Sequence, residues 1–467
     1  MNMTKKQFRH DMRRGLGSCQ LELRRCTDIE EYRQDILWGI QHALAYDAQC
    51  EGTRAIYFFD MIELFDDWSE FYTLIADSAK RNIKDPGWRF FHYEEILALM
   101  AGAGYAPAQE TMDELYELLL RAVQRGRPSG NGIWAAMDNF SRICVSILTN
   151  VMQTQEDREA FYLRVLVDYG KILARKPTFG VHCEDKWFEM VAEEDIGETR
   201  IHELLAQKSS DPDIARYLEN NRQRAAKRES YQAMIQSETL KTKTAESLYE
   251  KLCVEDWTQI NRLRKILREC EPEEAAKLAR LYAKEEREEL RARILHLFRI
   301  CDSMSAFDDN GIIRMISDAE SENETLREEA LTALQETRGE LVRAYALQRL
   351  EQQPKDTDAL LMLITNYEPG DGKRLISLVM KSVSLNENNG AWHGVFSGVR
   401  ELIYRDHGAD KELSEALLPY MLHEGYCSWC RLCLLELMQP RGLLTPELIE
   451  ECRWDCYMEI REFVDKL

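Results

Sequence analysis

The sequence predicts an all-α chain whose C-terminal half is a right-handed α-solenoid of stacked antiparallel helix pairs. Three observations lead there. Apolar residues recur at three- and four-residue steps almost throughout. Runs alternating polar and β-branched residues, the mark of strands, are nearly absent. One short motif, with an arginine at its second position, returns four times in the C-terminal half.

The chain opens "MNMTKKQFRHDMRRGLG", which is charged and lacks an apolar core, so no secretion signal is expected. In "DILWGIQHALAYD", Ile36, Ile40 and Leu44 form one helical stripe with Leu37 and Ala43 beside it. The aromatic-rich run "AIYFFDMIELFDDWSEFYTLI" belongs to the same region, read as an N-terminal helical domain over residues 1–205. No internal period is visible there. From Lys208 to Thr244 the chain is polar, with too few apolar residues to bury a helix pair. A long exposed helix or hinge is expected, and residues 206–246 hold the domain boundary. Pro212 sits just after a potential cap, as Pro446 does in "TPELIEE".

Residues 247–467 carry the repeat. "EELRARILHLF" and "ETLREEALTAL" align at an offset of 36 residues, pairing Leu290 with Leu326 and Arg291 with Arg327. Ile294 then pairs with Ala330, Leu295 with Leu331 and Phe298 with Leu334. The pattern returns in "WCRLCLLELM" through Arg431, Leu434, Leu435 and Met438, and in "EIREFVDKL" through Ile460, Arg461 and Val464. Each copy is expected near the start of a helix that follows a shorter amphipathic one, as "DDNGIIRMISDAES" precedes "NETLREEALTAL".

This half resembles the HEAT-repeat family of α-solenoids, in which the second helix of a pair often opens with a Val-Arg-like dipeptide. The spacing is short for that family, whose repeats run about 40–47 residues. It lies near the tetratricopeptide period of about 34, but the Trp, Gly and Tyr positions of that motif do not recur. The resemblance implies helix pairs stacked into a curved superhelix, because one pair cannot bury its apolar face alone.

Composition bounds the function. The 467 residues suffice for about three ordinary domains or one extended array. With 82 acidic and 61 basic residues, the formal net charge of -21 repels nucleic acid and anionic membranes and favours basic protein partners. No stretch reaches the roughly 18 apolar residues of a membrane helix. Thirteen cysteines without a signal peptide suggest reduced thiols in a cytoplasm.

Five cysteines cluster in "CSWCRLC" and "ECRWDC", and Cys427, Cys430, Cys452 and Cys456 could form a four-thiolate zinc site. The run Cys427, Cys430, Cys433 also has an iron–sulfur spacing. Against both, Cys430 occupies the slot of Leu290 and Leu326, and its flanks form helix without Gly or Pro. Core packing as small apolar residues is the expectation. Arg291, Arg327, Arg431 and Arg461 could line up as carboxylate or phosphate receptors, but pairing inside the fold is expected. "RGRPSGNGIW", with Gly126, Gly130 and Gly132, and "EPGDGKRLI", with Gly372 and Lys373, lack the Lys-Ser/Thr ending of a phosphate loop. Both read as helix connections. Asp60, Glu63 and Asp67 fall on one helical face near Glu51 and His42, a spacing able to hold a divalent cation but common in acidic chains. Neither His-Glu-x-x-His nor Gly-x-Ser-x-Gly occurs.

The expected function is therefore a non-catalytic protein-interaction module or scaffold that binds a protein or peptide in a solenoid groove, with no catalytic, cofactor or metal residue. The alternative is a nucleic-acid-binding or DNA-repair HEAT-like protein. Its local support is "KKQFRHDMRR" and "NNRQRAAKR".

Overall fold

The computed structural model describes residues 3–83, 88–125, 131–175, 186–241, 244–254, 257, 260–301, 303–382, 391–405 and 411–467. Among them are 27 α-helices and no strand, with helix content of 81%, against about a third in ordinary domains. Helix starts follow capping chemistry: Thr4, Asp308, Asn323, Asp356 and Thr445 each accept a backbone N–H from the first turn of the helix they precede.

The chain divides into two compact units. One comprises Met1–Glu229, Tyr426–Leu432 and Leu444–Leu467; the other comprises Ser230–Gly425 and Cys433–Leu443. The division at residue 229 falls inside the polar stretch 206–246, within a 30-residue helix, Pro212–Lys241. That helix is not wholly exposed, since Ile214 and Tyr217 are buried. Two segments of the stretch 247–467, 426–432 and 444–467, group with the N-terminal residues.

In the first unit, the helices Ser69–Asn82, Trp88–Gly102, Ala106–Arg125 and Asn131–Ser146 pack each on the next. Their core is aromatic: Phe58, Phe71, Phe90, Tyr116 and Tyr169 are all fully buried. The Arg33–His42 helix buries Ile36, Leu37 and Ile40 as its stripe requires, and Ala43 is buried just beyond it. Short C-terminal helices, Pro446–Cys452 and Met458–Asp465, close on the N-terminal turn between Lys5–Arg14 and Ser18–Arg25. There the Cys456 amide donates to the Gly15 carbonyl at 2.9 Å. Glycine is required at both turn positions. Gly15 has φ 71°, and a Cβ on it would lie 2.1 Å from Cys456 Sγ. A Cβ on Gly17 would lie 1.9 Å from the Glu451 carbonyl oxygen.

In the second unit, alternate helices pack together. One row is Ile260–Arg268, Glu288–Arg299, Glu324–Glu336, Thr357–Thr365 and Ala391–Arg405, each against the next. A second row is Ala245–Val254, Pro272–Lys284, Asp309–Asp318 and Glu340–Gln352; beyond it Gly372–Ser382 packs on Lys411–Glu424. Leu290 and Leu326 are each the third residue of their helix, and Ile294, Ala330, Phe298 and Leu334 are fully buried in matching positions.

Candidate functional site

The recurring arginines occupy one structural position. In the helices Glu288–Arg299, Glu324–Glu336, Ser428–Met438 and Met458–Asp465, the third residue is the apolar one and the fourth is the arginine. A side chain on the first turn points back toward the helix N-terminus, so its guanidinium reaches the chain that enters the helix. Arg291, Arg327 and Arg461 each donate to the carbonyl six residues earlier, on Glu285, Ser321 and Asp455, at 3.2, 3.0 and 2.6 Å. The expected shorter preceding helix holds at two copies only. Pro272–Lys284 and Lys411–Glu424 are longer than the helices they precede.

Beyond that shared bond the arginines differ. Arg291 grips Asp318 with two bonds of 2.9 and 3.0 Å, and both side chains are buried. Tyr282 Oη donates to the same carboxylate at 2.9 Å; burial, then the Asp318 charge, pushes the phenol pKa far up. Arg431 is buried against Asp455 at 2.8 and 3.0 Å and donates to the Arg14 carbonyl at 2.5 Å. Arg461 pairs with Asp60 at 2.8 Å. A fifth arginine was not recognised in the sequence. Arg343 is the fourth residue of Glu340–Gln352, follows buried Val342, and pairs with Asp371 at 2.7 Å. Against burial, which raises it, the Arg343 bonds hold the Asp371 carboxyl below its usual range. The "LVRAYAL" segment carries the same apolar-Arg step and was the available signal. None of these guanidiniums forms an exposed row of receptors.

The other candidates disperse. Cys427, Cys430, Cys452 and Cys456 are all buried; the Cys427 and Cys430 sulfurs lie within 4.8 Å of each other, but those of Cys452 and Cys456 do not join them in one cluster. Burial pushes the Cys452 and Cys456 thiols up, away from the reactive thiolate. The acidic face does not form, because the Ala55–Ile62 helix ends before Glu63 and the chain turns. Asp67 instead accepts from the Ser69 amide at 2.9 Å in the turn that enters Ser69–Asn82, and Asp60 is paired with Arg461. Buried Glu51 accepts from the Ser428 amide and hydroxyl at 2.9 and 2.6 Å, while His42 meets the Trp38 carbonyl. Gly126 and Gly130 lie outside the described residues; Gly132 is inside the Asn131–Ser146 helix, and Gly372 opens Gly372–Ser382.

What the second unit does present is an open groove of about 680 Å³ across the C-terminal ends of one helix row. Met304 and Phe307 line it beside Gln335–Arg338, Ile364 with Thr365, and Gly398 with Leu402 and Arg405. Thr365 Oγ1 donates to the Gln335 carbonyl at 2.6 Å, satisfying one helix-end acceptor. Gln335 donates in turn to Asp358 at 2.9 Å; burial, then the Asp356 charge, raises that carboxyl. Met304, Phe307 and Ile364 are buried along it, Arg405 pairs with Glu401 at 2.7 Å, and helix C-terminal ends stand at its edge. Compared with models of known families and with curated proteins, the chain matches none.

Proposed function

We propose that this chain is a non-catalytic interaction module whose second unit is a HEAT-like, right-handed α-solenoid of stacked antiparallel helix pairs. A protein or peptide segment binds across its groove. The observation that carries the reading is the two-row packing of alternate helices with the arginine step at equivalent positions, which is how stacked pairs share one core. Helix C-terminal ends at the groove rim favour cations, so the partner segment is basic with an apolar anchor between Phe307, Ile364 and Leu402. The net charge of -21 speeds encounter with such a partner.

Part of the N-terminal basic support for the nucleic-acid reading is engaged within the fold, while Arg222 and Lys227 of the second basic stretch are exposed. In the Lys5–Arg14 helix, Arg14 is buried, Arg9 pairs with Asp35, and Arg9 and Arg13 lie over the Trp38 ring. A displayed random-peptide library selected on the whole chain tests the proposal. Enriched peptides combining Lys or Arg with a large apolar residue, lost on Leu402→Glu, are expected. No enrichment, together with submicromolar duplex DNA binding near physiological salt, would overturn it, since nonspecific contacts give roughly 10⁻⁴–10⁻⁶ M.

A further inference from the structure

In the first unit, the Ala106–Arg125 and Gln155–Arg175 helices leave an open groove of about 610 Å³ between them. Arg164 bonds Glu117 at 2.8 Å and Arg175 bonds Gln124 at 3.2 Å, so the two helices run in the same direction. Along one wall Ala160, Leu163 and Val167 recur at three- and four-residue steps, opposite Leu120 and beside buried Ile214. Ala160 is exposed, and Leu163 and Val167 are only half-buried, so the fold leaves this apolar stripe partly open. From Ala160 to Lys171 the wall runs about 16 Å, or about three helical turns.

Charge is graded along the groove. Exposed Asp113 and Glu156 extend the two walls one turn toward their N-terminal ends. In the middle, Arg164 and Glu117 offset each other. Lys171, Arg175 and Lys208 stand toward the other end. The carboxylates near these cations are engaged by the fold. Asp168 is buried and accepts from Tyr116 and Lys171 at 2.8 and 3.1 Å. Asp211 accepts the Asp213 and Ile214 amides at 2.9 and 3.3 Å where the Pro212–Lys241 helix begins. Because the walls are parallel, their backbone dipoles also add, with the partial negative ends beside the lysines.

We infer that this groove docks an amphipathic helix of a partner protein, lying antiparallel to both walls. Its apolar residues, at three- and four-residue steps, cover Ala160, Leu163 and Val167. Acidic residues in its first turn meet Lys171, Arg175 and Lys208, and basic residues in its last turn meet Asp113 and Glu156. Only the antiparallel direction satisfies the side-chain charges and the helix dipoles together. The site is independent of the groove in the second unit.

Fluorescence anisotropy of the full chain with two labelled peptides tests it. Both are side-chain-bridged helices of about four turns, long enough to cover the stripe, with one identical apolar face. One carries Glu in its first turn and Lys in its last; the other carries the same residues in reverse order. The first should bind about tenfold more tightly, as some three exposed pairs change from attraction to repulsion. Val167→Glu should abolish binding of both. Lys171→Glu with Lys208→Glu, at exposed positions that leave the core intact, should erase or invert the preference. Equal affinities for the unaltered chain, no saturable binding by about 1 mM peptide, or a preference unmoved by the double lysine change would each overturn the inference. Sedimentation equilibrium separates the other occupant: a dimer of the unaltered chain that Val167→Glu dissolves would assign the face to a second copy and overturn the partner helix.

Discussion

Replacing Arg291 with methionine would expose how much the arginine step contributes to stability. The change leaves Asp318, whose side chain is 4% exposed, without the two bonds of 2.9 and 3.0 Å that hold it. It also removes the donor to the Glu285 and Glu286 carbonyls at 3.2 and 2.7 Å. Tyr282 still donates to Asp318, and Arg314 stands 3.6 Å away, so the carboxylate is not wholly stranded. Breaking a buried pair from one side costs about 3–5 kcal/mol, and the residual partners place this case near 3. Arg327→Met is the internal control: its guanidinium is half-buried and donates to the Ser321 carbonyl, so its loss should stay within about 1 kcal/mol. Arg291→Met combined with Asp318→Leu should recover at least half of the single-variant cost, because an apolar replacement of the whole pair no longer buries an unpaired charge. Urea unfolding followed by far-UV circular dichroism, with hydrogen exchange to assign the transition containing residues 272–334, reads all five proteins, Asp318→Leu alone included. A loss below about 1 kcal/mol for Arg291→Met, or a double variant as unstable as the two single changes summed, refutes the reasoning.

Two further outcomes concern the first unit. Glu94 is fully buried, and burial, opposed by Arg142, raises its carboxyl to about 8 from an ordinary 4.5. Its folded pKa being raised, stability is fullest below about 4.5 and falls as pH climbs toward 8; Glu94→Gln should remove this slope and stabilise the chain at pH 8 by a few kcal/mol, at about 1.4 kcal/mol per pKa unit. Denaturation midpoints of both proteins across that window check it, and parallel profiles would refute it. Gly17→Ala should loosen the C-terminal segment, because the new Cβ meets the backbone carbonyl of Glu451 at 1.9 Å and neither side is a flexible chain end. Faster amide exchange over residues 446–464 is expected; unchanged protection would count against the close approach.

The sequence disclosed what depends on local spacing. The 36-residue register of Leu290 with Leu326 needed only helix periodicity, and it places both at the third position of successive, mutually packed helices. The burial of Cys430 followed from the same alignment. What the sequence withheld depends on partners far along the chain. Arg291 finds Asp318 27 residues on and Arg343 finds Asp371 28 residues on, whereas the position 27 residues after Arg327 is Pro354, which has no charge to offer. One motif therefore gives a buried ion pair in one copy and a lone backbone bond in another. The "GLG" at residues 15–17 reads locally as a turn, yet each glycine is demanded by a residue more than 400 positions away, Cys456 and Glu451. The acidic face of Asp60, Glu63 and Asp67 failed for a related reason. The helix stops at Ile62, and Asp60 is drawn to Arg461, 401 residues later.

This distinction bears on where binding can occur. The buried Arg291 and Arg431 have their donors engaged by Asp318, Asp455 and backbone carbonyls, so the most repetitive polar feature of the sequence is largely turned inward at these copies. Some buried polar atoms without a hydrogen-bond partner among the described residues, such as Gln20 Oε1 and His92 Nδ1, lie outside the repeat and are silent in its alignment. Repetition marks what every helix pair needs in order to stack. Recognition is to be sought at positions that break the repeat, because there the fold has not already satisfied the chemistry.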